Sequence, residues 1–72
     1  MNIDRIKVAE AIRNIKEDPL TCYNILDELQ LKPTKENKHN VEFILKDLIK
    51  RGWLSNSVNN LYFRTFQGFR VK

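Results

Sequence analysis

The sequence predicts a mainly α fold that closes with a β-hairpin, and three observations carry that expectation. Apolar residues recur at helical spacing in three successive segments. Proline, threonine and glycine stand at the ends of those segments, where helix boundaries need them. After Gly52 the pattern changes to two short strand-like runs around an asparagine-rich turn. A chain of 72 residues has room for one hydrophobic core, so residues 1–72 are expected to form one domain.

From Ile3 the apolar series runs Ile3, Ile6, Ala9, Ile12 and Ile15, with Val8 and Ala11 beside it, which predicts a helix over 3–17. Glu17-Asp18-Pro19 ends it, because the proline ring disfavours the helical conformation of the residue before it. Thr21 stands where an N-cap belongs, and Ile25, Leu26 and Leu29 form a short apolar set, predicting a second helix over 22–30. Pro33 breaks that helix, and Thr34 is placed to cap the next, with Glu36 and Asn37 in its first turn.

The third helix is predicted over 35–51. Val41, Ile44, Leu45, Leu48 and Ile49 supply its apolar stripe. Lys50 and Arg51 meet its carbonyl end, and Gly52 supplies the left-handed C-terminal position. A hairpin over 53–66 follows, with strand-like runs Trp53–Asn56 and Leu61–Phe66. Asparagine tolerates positive φ, so Asn59-Asn60 can form its turn. Trp53, Leu54, Leu61 and Phe63 are expected to be the strand face that closes over the third helix.

Composition narrows the function classes. Apolar residues make up 42% of the chain and charged ones 31%, a balance that supports a folded core and argues against disorder. Cys22 is the only cysteine, and it stands 17 positions from His39, the only histidine. No internal disulfide is possible, and no metal or other cofactor is expected; Cys22 is expected to pack inward as a small apolar group. Asp4 and Arg5 interrupt the N-terminus early, and no apolar run approaches a membrane span, so the expectation is a cytoplasmic protein with no membrane partner. There is no Gly-rich phosphate loop, no carboxylate pair beside a nucleophile and no Ser/His/Asp or Cys/His set at usable spacing, so an enzyme is not expected.

Charge is uneven along the chain. Residues 1–31 carry a net −2 and residues 32–72 a net +6, giving the overall +4. A basic half joined to a mildly acidic half points to one face that attracts polyanions, although scatter of surface charge in a short chain gives the same totals.

Three helices with a break between the second and third, then a glycine and a hairpin, resemble the winged helix-turn-helix superfamily. The stretch Val41–Leu54, VEFILKDLIKRGWL, is similar to the end of the recognition helix and start of the wing in MarR-like and PadR-like regulators. Tyr62 to Gly68 is similar to their second wing strand, which closes with threonine, two residues and glycine; Arg64 stands where those families usually place leucine. The resemblance implies binding of double-stranded DNA with 35–51 as recognition helix, as in a small transcriptional regulator.

At about 100° per residue, the apolar stripe of the third helix leaves Lys35, His39, Phe43, Lys46 and Lys50 on the opposite face. Phosphate contacts are expected from Lys35, Lys46, Lys50 and Arg51, and base contacts from Lys38, His39, Asn40, Glu42 and Phe43. In the hairpin, Asn56, Asn59, Asn60 and Arg64 are placed to reach phosphate or the minor groove. The same lysines would equally make an ordinary solvated face. Phe43 has three possible roles: contact with thymine methyls, packing beneath the wing, or a protein interface. A rival function is therefore a protein-interaction module, a small inhibitor or adaptor, that presents Phe43. A homodimer or protein partner would use Phe43, helix one, or the trailing Phe66, Phe69 and Val71.

Overall fold

The computed structural model describes residues 3–56 and 60–65. Three helices, α1 (Arg5–Asn14), α2 (Cys22–Glu28) and α3 (Lys35–Lys50), precede an antiparallel hairpin of β1 (Leu54–Asn56) and β2 (Tyr62–Arg64). The fold is mainly α with a C-terminal hairpin, and its order is consistent with a winged-helix topology. No helix among the described residues is long and apolar enough to cross a membrane.

Side-chain oxygens cap all three helices. Asp4 accepts from the Lys7 N–H at 2.8 Å. Thr21 and Asn24 form a reciprocal capping box at α2, the Thr21 N–H donating to Asn24 Oδ1 at 2.7 Å and the Asn24 N–H to Thr21 Oγ1 at 3.2 Å. Thr34 accepts from the Asn37 N–H at the start of α3. Each cap satisfies a backbone donor that has no partner within its helix, an effect worth roughly 1 kcal/mol.

The C-terminal ends of α2 and α3 close in the same way. At α3 the Trp53 N–H donates to the Leu48 carbonyl and the Gly52 N–H to the Ile49 carbonyl, with Gly52 at φ 80°. At α2 the Leu31 N–H reaches the Leu26 carbonyl and the Gln30 N–H the Asp27 carbonyl, with Gln30 at φ 58°. Both are Schellman closures, which ask for a left-handed residue and so favour glycine. Only α3 has the glycine. Gln30 adopts the conformation with a Cβ present, at a local cost of about 1 kcal/mol.

The ends of α1 differ from the sequence expectation. It stops at Asn14, not near residue 17, and Ile15 leaves it with extended geometry while its N–H still donates to the Ala11 carbonyl. The extended chain beyond carries Leu20 alongside Tyr62, where each backbone N–H donates to the other's carbonyl at 2.9 Å. This bridge adds a third extended segment beside β2, which the sequence pattern did not suggest.

Val8, Ala11, Ile12, Leu20, Ile25, Leu26, Val41, Leu45, Leu48 and Leu54 form the centre of the core, with Cys22 and Tyr62 at its margin. Burying each large aliphatic among them contributes on the order of 1.5–3 kcal/mol. Ile6 was expected in this stripe but is 68% exposed. Successive i, i+3 steps drift around a helix, so Ile6 and Ile12 lie about 120° apart, while Val8 and Ile12 share a face.

The inward face of β2 is also the reverse of the expectation. Tyr62 is buried and Phe63 exposed, while Leu61 and Trp53 are half-buried and Leu54 is inside as expected. The register pairs Leu54 with Arg64, Ser55 with Phe63 and Asn56 with Tyr62. Because side chains alternate along a strand, the face that holds Tyr62 also holds Arg64.

Replacing Gln30 with glycine is expected to raise the unfolding free energy by about 0.5 kcal/mol. The relieved left-handed strain outweighs the added freedom of the unfolded chain. A urea or thermal melt of Gln30→Gly that shows a lower midpoint than the wild type would contradict this account of the α2 terminus.

Candidate nucleic-acid interface

The interface candidates divide according to what else holds each side chain. Arg64 is the clearest case, and it is a correction: expected to reach DNA phosphate, it points into the protein. Its side chain is 7% exposed. One terminal nitrogen donates to the Ile12 carbonyl at 2.7 Å and to the Ile15 carbonyl; the other donates to the Glu17 carbonyl at 3.0 Å and lies 3.6 Å from the Asp18 carboxylate. The end of α1 leaves carbonyls without helical donors and carries partial negative charge, and a guanidinium offers several donors in a fixed fork. The leucine of the resembled families could fill this strand position but could satisfy none of those carbonyls.

Three further cations are partly committed. Arg51 donates to Asp47 at 2.9 Å, and Arg5, reaching across from α1, donates to the same carboxylate oxygen at 3.3 Å. The Arg51 hydrogen bond, reinforced by Arg5, holds the Asp47 carboxyl below its usual range. Lys38 donates to the Tyr23 hydroxyl at 2.9 Å, with its ammonium 4.8 Å from the ring centroid; that hydrogen bond raises its pKa. Lys38 is therefore anchored towards α2. Glu42 is half-buried on the same flank, and Asn40 is exposed on the opposite flank, so neither shares the outermost line of α3.

That line consists of Lys35, His39, Phe43, Lys46 and Lys50, all exposed and all within an arc of about 80° at 100° per residue. The side chains of Lys35, Lys46 and Lys50 form no ion pair or hydrogen bond with any described residue. The stripe exists because Val41, Leu45 and Leu48 are fully buried against the rest of the core, which fixes the rotation of the helix. Phe43 is 71% exposed. It lines a shallow depression of about 430 Å³ with Arg5, Ile44, Lys46, Asp47 and Lys50. None of these belongs to the hairpin, so Phe43 does not pack beneath the described part of the wing.

In the hairpin, Asn56 and Asn60 are exposed, and Asn60 has φ 60°, the left-handed geometry expected for the turn. Asn59, Phe66, Phe69 and Val71 lie outside the described residues. Thr65 closes the hairpin base: its hydroxyl lies 2.6 Å from the Gly52 carbonyl and 2.9 Å from that of Trp53. Cys22 is buried with its thiol 3.8 Å from the Lys38 carbonyl, and burial pushes its pKa up to about 11. It is packed inward, as the sequence suggested.

Sequence reasoning missed Arg5 and Tyr23. The Asp47–Arg51 pair has i, i+4 spacing and is legible on a helix. Nothing local announces that Arg5, 42 positions away, joins it. No protein-family model, no curated protein and no solved structure matches this chain. The likeness to MarR-like and PadR-like regulators therefore rests on the sequence pattern alone.

Arg64→Ala is expected to lower the unfolding free energy by about 3 kcal/mol, since it strands several carbonyls at once. Arg64→Lys should recover less than half of that loss, because a single ammonium cannot reproduce the fork. Urea melts of the two variants check this, and an Arg64→Ala midpoint equal to that of the wild type would remove the clamp from the account.

Proposed function

We propose that this protein binds double-stranded DNA through the outer face of α3, in the manner of a small sequence-specific regulator. The observation that carries the reading is the exposed stripe of Lys35, His39, Lys46 and Lys50. Its lysines have no acidic partner among the described residues, although the chain pairs other cations closely. Asp47, which lines the same depression as Lys46 and Lys50, is already engaged by Arg5 and Arg51. A helix with uncommitted cations fits the major groove and gains affinity by releasing the counterions of the phosphates it neutralises.

In this reading Lys35, Lys46 and Lys50 contact phosphates, and His39 and Phe43 are nearest to base edges. Asn60 adds contacts to the DNA backbone beside the helix. Phosphate contacts supply most of the affinity, and base contacts supply the sequence preference.

A second reading is favoured by one observation, the 71% exposure of Phe43 beside an apolar depression. Here the same face binds a protein, with the ring as anchor. The two readings differ in what the lysines do, and only DNA binding makes them the main source of affinity.

Fluorescence anisotropy with a labelled mixed-sequence duplex tests the proposal. Affinity should fall steeply with salt, with a log–log slope of about −3 for three phosphate-contacting lysines. Lys46→Ala should weaken binding uniformly across sequences and make the slope shallower by about 1. Failure to bind duplex at about 50 mM salt, well below physiological screening, would reject the proposal.

A further inference from the structure

Phe43 is the large apolar side chain most exposed on α3, and no described residue covers it. Its position within the stripe is specific. At about 1.5 Å of rise per residue, Lys35 and Lys50 stand roughly 22 Å apart along the axis, and Phe43 lies near the midpoint between them. Cations thus occupy both ends of an exposed line, and an uncharged ring stands midway along its length, at one edge of its arc. Lys46 is its neighbour on the following turn.

A duplex presents the same arrangement. The major groove is about 12 Å wide, its rims are phosphate, and its floor carries base edges. A helix seated there with its terminal lysines towards the rims brings the side chains midway along its outer line, Phe43 and His39, to the floor. A phenyl ring has neither donor nor acceptor. Against guanine, cytosine or adenine edges it removes water from polar groups and returns no hydrogen bond, which is unfavourable. The C5-methyl of thymine is the apolar group on that floor, and covering it against the ring is favourable.

We infer that Phe43 is a specificity-determining residue that selects thymine by contact with its C5-methyl group. The inference rests on the duplex-binding reading above and commits that reading to a base preference. The surrounding charge supports DNA as the occupant of this apolar spot: Lys46 and Lys50 line the depression together with the ring, and its one carboxylate, Asp47, is neutralised by Arg5 and Arg51.

The test compares alternating poly(dA-dT) with alternating poly(dA-dU), which differ only in the C5-methyl and present it in every register. Wild type, Phe43→Ala and Phe43→Leu are titrated by anisotropy at low salt. Wild type should bind the thymine duplex about fourfold more tightly for each methyl covered. Phe43→Ala should bind both duplexes alike, near the wild-type affinity for the uracil duplex, and Phe43→Leu should keep part of the preference. Thermal melts should show both variants folded, as expected for so exposed a position. Equal wild-type affinity for the two duplexes would overturn the inference while leaving duplex binding intact. Absence of binding to either duplex would overturn the DNA reading itself, and the inference with it.

Discussion

The guanidinium of Arg64 on the carbonyl end of α1 is the contact on which the rest of the arrangement depends. The carbonyls of Ile12, Ile15 and Glu17 need donors where the helix stops, and one buried side chain from the last strand supplies all of them. This ties the hairpin to the first helix across most of the chain. It also holds β2 where the Tyr62 backbone can pair with Leu20. A domain of this size gains only a few kcal/mol from its core. A clamp of about 3 kcal/mol is therefore comparable to the whole net stability.

That clamp has consequences for the outer surface. With the hairpin fixed to α1, β1 packs against α3, and α3 also rests on α1 and α2. Val41, Leu45 and Leu48 are sealed inside, and the rotation of α3 is set. Among the described residues some cations are held within the protein, while others, Lys7, Arg13, Lys16 and Lys32 included, are exposed without an ion pair. Arg64 stabilises the end of a helix; Arg5 and Arg51 share Asp47; Lys38 leans on Tyr23. Lys35, Lys46 and Lys50 are left on a single exposed line, with His39 and Phe43 among them. The proposed function follows from this division more than from the net charge of +4, which by itself would fit many small basic proteins.

Features governed by local chemistry were legible in the sequence. The caps at Thr21 and Thr34, the Gly52 terminus, the buried stripe of α3 and the inward Cys22 each depend on residues a few positions apart, where spacing determines geometry. Features decided by distant partners were not legible. The stop of α1 at Asn14 goes with the Ile12, Ile15 and Glu17 carbonyls being bonded by Arg64 and with Leu20 pairing to Tyr62. The inward face of β2 was misjudged because hydrophobicity alone favours Leu61 and Phe63, whereas the carbonyls at the end of α1 demand Arg64 and the strand alternation then brings Tyr62 with it. Ile6 was misplaced for a simpler reason, the drift of i, i+3 steps around the helix. For the candidate site, the line of Lys35, His39, Phe43, Lys46 and Lys50 was visible from periodicity. That Arg64 turns inward, that Tyr23 holds Lys38 and that Arg5 joins Asp47 required the tertiary structure.

In the proposed function the outer line of α3 is the surface that meets a duplex. Mapping backbone amide shifts of the isotope-labelled protein as duplex DNA is added tests it most directly, since every described element then reports separately. Perturbations are expected to concentrate on residues 35–50 and to extend to the hairpin around Asn60, with the interior contacts of Arg64 undisturbed. Perturbations centred on α2 and the exposed side of α1, with α3 silent, would contradict it.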